Sequence, residues 1–315
     1  MSNNLNKAKK KSFLDEAVKF SLLSILLGLL VGAIVLMISG RSPIVVYGAM
    51  IEGIIGKPKY IAWTIIKATP YILTGLSIAF AFKTGLFNIG AEGQFIVGAL
   101  VATLVGVGVD LPAIIHIPLT ILCAAVAGGL WGSIAGFLKS KFGINEVIVC
   151  IMLNWIAFYF SNFMVSNSFI SVANSESSVA INDSSSIGIS WMKGLVGPAT
   201  SVNWGIVISI ILVFVVWFIL NKTTLGFELK AVGHNKDAAE YAGIDVSKSM
   251  LKSMAIAGIL AGIAGAIQVM GVTHNITVLA AQEGYGFDGV AVALIANSNP
   301  IGVIFSGLLF GAFKY

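Results

Sequence analysis

Seven stretches of the chain stay apolar for about as long as a helix needs to cross a bilayer, roughly 20 residues. They cover residues 20–39, 61–82, 86–109, 111–138, 144–165, 203–220 and 253–272. An eighth apolar region, 287–313, is interrupted by Asn297, Ser298, Asn299 and Pro300. Only 10% of the 315 residues are charged, against about 25% in a soluble domain. The 19 basic and 14 acidic side chains are too few to cover a water-facing surface. The expected fold is all-α: a polytopic transmembrane helical bundle with a discontinuous C-terminal segment, formed by one transmembrane domain over residues 1–315.

The lysines set the orientation. With the N-terminus in the cytoplasm, 13 of them fall in cytoplasmic segments: Lys7, Lys9, Lys10, Lys11, Lys19, Lys83, Lys139, Lys141, Lys222, Lys230, Lys236, Lys248 and Lys252. Outside lie four basic residues, Arg41, Lys57, Lys59 and Lys193. That asymmetry is what the positive-inside rule demands. Residues 1–19 then form a cytoplasmic basic tail. The apolar stretch after it exceeds the roughly 7–15 residues of a signal-peptide core, so it reads as an uncleaved first span. Because the lysines are dispersed among loops, the net charge of +5 does not point to nucleic acid; the bilayer is the expected surroundings. Cys123 and Cys150 both sit in apolar runs, which suits neither a disulfide framework nor a zinc site.

Two loops differ in character. Residues 166–202 are rich in Ser and Asn, residues that favour turns, and form an external loop with little regular structure. Residues 222–252 are cytoplasmic and carry nine charges over 31 residues with helical patterning. Residues 301–313 form a 13-residue apolar stretch, short of a full span: either this last piece is re-entrant or the sequence is truncated at its C-terminus, and truncation is the favoured expectation.

Several polar residues lie inside the apolar runs. Asn88, Glu92 and Gln94 open a run that also holds Gly85, Gly90 and Gly93. Asn88 and Glu92 are four apart and share a face if the segment is helical. Intramembrane ionisable groups usually face a bundle interior or a water-filled path. This stripe suits the path of a polar solute and equally a hydrogen-bonded structural knot. Asn154 and Gln268 suit interhelical hydrogen bonds. Lys67 precedes Pro70 in its run, Glu146 lies near a span end, and His116 and His274 have no companion at metal spacing. Asp288 belongs to the polar stretch Gln282–Gly289, which with the Asn297–Pro300 break frames a short apolar piece. Discontinuous helices of this kind border substrate sites in transporters. The candidate path residues are Asn88, Glu92, Asn154 and Asp288. Glycines repeat at small-xxx-small spacing (Gly28 and Gly32; Gly128, Gly132 and Gly136), and Gly258, Gly262 and Gly265 line another span, the signature of closely packed membrane helices.

The 222–252 loop carries more specific physics. Asn235 suits the cap of a short helix, Asp237 suits its positive end, and Gly243 suits the left-handed position that ends it. Ala238, Ala239 and Ala242 give a small face suited to a groove on another protein. The candidate docking residues are Glu228, Lys230, Asn235, Ala238, Ala239 and Gly243. No G-x-x-x-x-G-K-[ST], H-E-x-x-H or G-x-S-x-G occurs in the sequence. The chain therefore reads as a non-enzymatic transport component with no catalytic residues, metal or cofactor.

The run Gly85–Gln94 (GLFNIGAEGQ), with ATPYILTGLSIAF at 68–80, GFELKAVGHNKDAAEYAGI at 226–244 and GYGFDGVAVALIANSNPIGV at 284–303, resembles permease subunits of nucleoside-type ABC importers. These belong to the branched-chain amino acid and ribose permease superfamily. The resemblance covers most of residues 60–313. It implies a nucleoside importer of the bacterial plasma membrane, driven by a separate ABC ATPase subunit that docks on the 226–244 loop. A second permease subunit and a substrate-binding lipoprotein complete such an importer. The rivals are a sister ABC permease for sugars or branched-chain amino acids, and a stand-alone secondary transporter using Glu92 and Lys67 for ion coupling.

Overall fold

The computed structural model describes residue 20, residues 23–197 and residues 200–315. The expected basic tail, residues 1–19, lies outside the described residues. The chain divides into two compact units, residues 1–60 and 61–315.

The first unit contains α1 (Leu23–Ile38) and α2 (Pro43–Ile55). Pro43 starts α2 at a position where its missing N–H leaves no extra orphan. The Tyr47 hydroxyl of α2 donates to the Leu29 carbonyl of α1 at 2.6 Å. Gly32 lies beneath that hydroxyl and leaves room for it.

The longer elements follow in chain order: α3 (Pro58–Phe82), α4 (Ala91–Gly108), α5 (Ala113–Phe142), α6 (Glu146–Asn167), the single turn α7 (Lys193–Val196), α8 (Gly205–Lys222), α9 (Thr224–His234), α10 (Lys236–Tyr241), α11 (Val246–Gln268), α12 (Tyr285–Ile295) and α13 (Pro300–Phe313). Six of them are long and apolar enough to cross a membrane: α3, α4, α5, α6, α8 and α11 with its continuation to Thr273. The protein is a multi-pass membrane protein. Among the described residues there is no β-sheet, only isolated bridges at Ser171–Ser178, Ser177–Thr277 and Gly188–Asn203.

Two boundaries differ from the hydropathy runs. The run expected from residue 86 becomes helical only at Ala91. Gly85 turns the chain with φ +71°, and residues 86–90 fold back in non-helical form. Buried non-helical backbone needs partners within the protein; here the Asn154 amide donates to the Ile89 carbonyl at 3.0 Å. α11 begins at Val246 instead of 253, because Asp245 caps it by accepting from Lys248 N at 2.9 Å. Its first two turns are polar and carry the helix beyond the apolar run.

The core is built where α4, α5 and α11 pack together. A Cβ at Gly128 of α5 would overlap the Gly258 carbonyl oxygen of α11, and one at Gly258 would overlap that of Gly128. The two backbones therefore touch directly, which is how membrane helices gain contact without a hydrophobic drive between them. At the end bearing Lys83, Lys139, Lys230 and Lys248, hereafter the lysine-rich end, α5 and α6 are tied by Lys139–Glu146 at 2.8 Å. At the far end His116 joins the Ser184 hydroxyl at 2.8 Å and the Val105 carbonyl at 3.1 Å, a structural role.

The C-terminal region is discontinuous. α11 passes into a π turn over Val269–Thr273, and His274 ends it with φ 57°. The chain then runs extended beside residues 176–181, with Ser178 N donating to Ile276 O at 2.8 Å and Val278 N to Glu176 O at 2.7 Å. α12 follows. Asn297 and Ser298 then take left-handed φ of 49° and 52°, and the Asn299 side chain caps α13 at Ile301 N, 3.0 Å away. α13 returns antiparallel to α3, placing Gly307 against Ile72 and Gly311 against Ala68.

Candidate functional site

Three of the four candidate path residues lie fully enclosed, and each has hydrogen-bond partners. Asn88 and Gln94 exchange two amide bonds, both 3.0 Å, and Asn88 also donates to Ser77 Oγ at 3.1 Å. The Asn154 carbonyl oxygen accepts from Gly93 N at 2.8 Å. Glu92 is fully buried, and its two oxygens accept from Gly284 N at 2.8 Å and Gly286 N at 2.6 Å. A carboxylate at the first turn of α12 also meets the positive end of that helix. Gly286 is pressed so close that a Cβ there would overlap Glu92 N. Asn88, Gln94, Glu92 and Asn154 are thus hydrogen-bonded within the bundle, and none of them lines either of the two cavities that flank the π turn. Asp288, on α12, faces Lys314 at 2.9 Å and keeps 28% of its side chain exposed.

Two cavities flank the π turn. An inner recess of about 80 Å³ is bounded by Phe95, Ile96 and Ala99 of α4, Ser161 of α6, Gln268, Val269 and Thr273 of α11 and the π turn, and residues 275–283. An outer vestibule of about 590 Å³ is bounded by residues of the 180–202 loop together with Gly271 and His274. The π turn thus contributes Val269 and Thr273 to one cavity and Gly271 to the other. Such turns recur at functional positions in helices. Glu283 lines the recess immediately before the Gly284–Gly286 clamp. The charges acting on it are those of Glu92 and of Lys67, a partly buried residue of α3. Glu283 and Gln268 were named in the sequence only as parts of a polar stretch and an interhelical bond. Their meeting at one recess depends on the π turn, which leaves no pattern in the sequence.

At the lysine-rich end, α9 and α10 form a helical module. The Asn235 side chain accepts from Ala238 N at 3.0 Å, and Gly243 has φ 82°, as the sequence suggested for both. The small alanine face is divided. Ala239 is 3% exposed and belongs to a buried apolar cluster that includes Leu86, Cys150, Val232 and Met250, while Ala238 and Ala242 stay exposed. Ala239 is thus buried within its own chain. What α10 presents outward beside the alanines is Tyr241, 98% exposed, a residue type enriched at protein interfaces. Glu228 and Lys230 on α9 are partly exposed. The end of α9 rests on the turn after α3: a Cβ at Gly233 would overlap the Lys83 carbonyl oxygen. Burial, joined by the charge of Lys230, pushes the Lys83 ammonium below the ordinary lysine range.

These features form one connected series. It runs from α10 to α9, across Gly233 to the Lys83–Gly90 turn, through Glu92 to the start of α12, and so to Glu283 at the recess. Residues 60–315 match the protein family described as the permease component of the branched-chain amino acid transport system. The chain belongs to that family. Among similar proteins, the permease is 43% identical over 293 residues to the guanosine ABC transporter permease protein NupP of Bacillus subtilis (strain 168), covering 93% of this chain and 83% of the relative. It is 39% identical over 298 residues to the nucleoside ABC transporter permease protein NupB of Lactococcus lactis subsp. cremoris, covering 93% and 82%. The glucose ABC transporter permease protein TsgB13 of Haloferax volcanii is 31% identical over 295 residues, covering 91% and 77%. No solved structure matches the permease.

Proposed function

We propose that the permease is the membrane-spanning subunit of an ATP-driven importer that carries nucleosides across the bacterial plasma membrane. Its N-terminus and its lysine-rich end face the cytoplasm. The partners are an ABC ATPase subunit, seated on α9 and α10, a second permease subunit, and a lipoprotein that delivers substrate at the far end. The guanosine and nucleoside permeases at 43% and 39% identity favour nucleosides over the sugar named for the relative at 31%.

The observation that carries ATP-driven coupling is the contact of Gly233 with Lys83. Through it, a displacement of the docking module reaches the Lys83–Gly90 turn, the Glu92 clamp and the wall of the recess without passing through a flexible linker. Alternating access requires two states with different affinities for partner and substrate, and ATP binding on the partner biases them through this lever. Asn88, Glu92 and Asn154 act in this scheme as positioning residues behind the path. Asp288, on the clamped helix α12, moves with its wall. Tyr241, Ala238, Ala242, Glu228 and Lys230 offer the contact surface, while Asn235 and Gly243 fix the ends of α10.

Purification of the tagged permease in mild detergent, followed by mass spectrometry, is expected to recover a P-loop ATPase and a second permease. The recovered complex in proteoliposomes should take up labelled uridine or guanosine only with ATP inside or outside as its ATPase requires. Neither glucose nor leucine should compete. Competition by glucose or leucine would assign a sister substrate. Uptake that survives ATP removal and collapses with the proton gradient would replace the reading by an ion-coupled transporter.

A further inference from the structure

The inner recess has an unusual polar lining. Five of its residues, Ser161, Thr273, Asn275, Thr277 and Glu283, line it while their side chains make no hydrogen bond to any described residue. The neighbouring polar groups behave differently: Asn88, Gln94, Asn154 and Glu92 are all matched. A bundle that satisfies its knot this completely leaves donors and acceptors open where water or a ligand completes them. Sites built to hydrogen-bond a substrate carry such unmatched groups, and the same groups reject analogues that lack the substrate's polar atoms.

Size and charge narrow the ligand. At about 80 Å³, the recess is smaller than the roughly 150 Å³ that encloses a benzene ring. It is also open on one side, so it takes one end of a larger molecule. Its single carboxylate is Glu283, a group with two acceptor oxygens and no donor when ionised. Adjacent cis-hydroxyls of a sugar supply two donors to one carboxylate, the pairing by which an acidic side chain holds the ribose of a dinucleotide. The hydroxyl and amide groups around Glu283 both donate and accept, as sugar hydroxyls require. The apolar wall from Phe95, Ile96 and Val269 suits the carbon face of a sugar ring.

We propose that the inner recess is a ribose subsite in which Glu283 accepts hydrogen bonds from the 2′- and 3′-hydroxyls of a nucleoside. This rests on the nucleoside reading above and adds where, and by which end, the permease itself reads its substrate. Glu283 is a specificity residue; Asn275 and Ser161 complete the hydroxyl contacts. The start of α12 adjoins Glu283 and is clamped by Glu92, so the sugar contact sits at the end of the lever that begins at α10.

The test is competition against labelled uridine uptake by the complete importer in proteoliposomes, using unlabelled uridine and 2′,3′-dideoxyuridine. The wild-type complex should prefer uridine by at least ~10-fold, the scale of losing hydrogen bonds to a charged acceptor. Glu283→Gln should bring that ratio towards one by weakening uridine while leaving dideoxyuridine unchanged. The same lipoprotein serves both complexes, so the change in ratio reports on the permease. If Glu283→Gln fails to assemble, Asn275→Ala is expected to move the ratio in the same direction by a smaller factor. An unchanged ratio in an active, assembled variant overturns the proposal and leaves the recess water-filled, with the nucleoside reading intact. A ratio that stays fixed while discrimination among bases changes would give the recess to the base and overturn the ribose assignment. Absence of nucleoside uptake by the wild-type complex instead removes the functional reading itself.

Discussion

Glu92 is a buried carboxylate whose partners are backbone N–H groups, not a cation. Glu92→Ala strands the Gly284 and Gly286 donors at the start of α12. Each stranded buried donor costs roughly 1–3 kcal/mol. Asn88→Ala also removes both partners of the Gln94 side-chain amide, but that side chain can rotate towards other partners, whereas a backbone N–H fixed at a helix end cannot. Polar pairs between membrane helices average only about 0.6 kcal/mol, so Glu92→Ala should lower the unfolding midpoint clearly more than Asn88→Ala. Scanning fluorimetry of both variants in detergent measures this, and equal midpoints would mean that the clamp does not hold α12. The sequence located both residues and put them on one face only on condition that the segment is helical; Gly90 precedes the first helical residue and Asn88 lies in the preceding turn. Four-residue spacing carries no facial meaning outside a helix. Asp245 offers a pH readout at the opposite extreme of exposure. The Lys248 N–H, then the Lys248 ammonium, hold its carboxyl below the ordinary value. A lowered carboxylate stabilises above the unfolded-state pKa and loses that contribution as pH falls through its folded-state value. The midpoint difference between wild type and Asp245→Asn should therefore be constant near neutrality and shrink only below about pH 4.

Elements show which features of the fold hydropathy can see. The six long spans and the break at Asn297–Pro300 were legible because lipid selects long apolar runs and a run of turn residues interrupts them. The Leu86–Gly90 fold-back was not, since its residues are as apolar as those of the helix it precedes. The π turn was hidden for a similar reason: it extends α11 without changing composition. The glycine spacing gave close packing but not the partners; only the structure sets Gly128 against Gly258. Ala239 shows the limit of reading a face from one helix, because α9 and α11 pack against α10 and bury Ala239 while leaving Ala238 and Ala242 exposed. At this scale the decisive substitution is Gly233→Val. Its side chain would overlap the Lys83 carbonyl and lift α9 from the turn, while Tyr241 and the exposed alanines remain in place. ATP turnover by the assembled complex should persist while uptake falls by at least ~10-fold, the size expected when a ~1–3 kcal/mol steric misfit falls on the coupling contact. Parallel assays of ATPase activity and uptake in proteoliposomes check this. Preserved uptake would show that coupling bypasses the α9 contact.

For the whole molecule, the distribution of charge makes a statement that no single contact makes. Lys83, Lys139, Lys141, Lys222, Lys230, Lys236 and Lys248 fall at helix ends or connections that the structure gathers at one end, where Ser247 also reaches the Ser140 carbonyl and α9 meets the Lys83 turn. The opposite end carries the 166–202 loop, whose segments pair with the chain after His274. The proposed orientation, with α10 inside and the 166–202 loop outside, is the one favoured by retention of Lys and Arg on the cytoplasmic side during insertion. Tyr241 and Trp191 mark the two ends and are 98% and 69% exposed. In a chain with Cys123 and Cys150 replaced by alanine, Tyr241→Cys should react with a membrane-impermeant maleimide only after the cells are opened. Trp191→Cys should react in intact cells. One helix long and apolar enough to cross a membrane, α8, lies between them, so on the proposed topology the labels must exchange together if the orientation is reversed. Reversed labelling would put α9 and α10 outside, beyond the reach of any ATPase in the cytoplasm, and the lever from α10 to Glu283 would then have nothing to drive it.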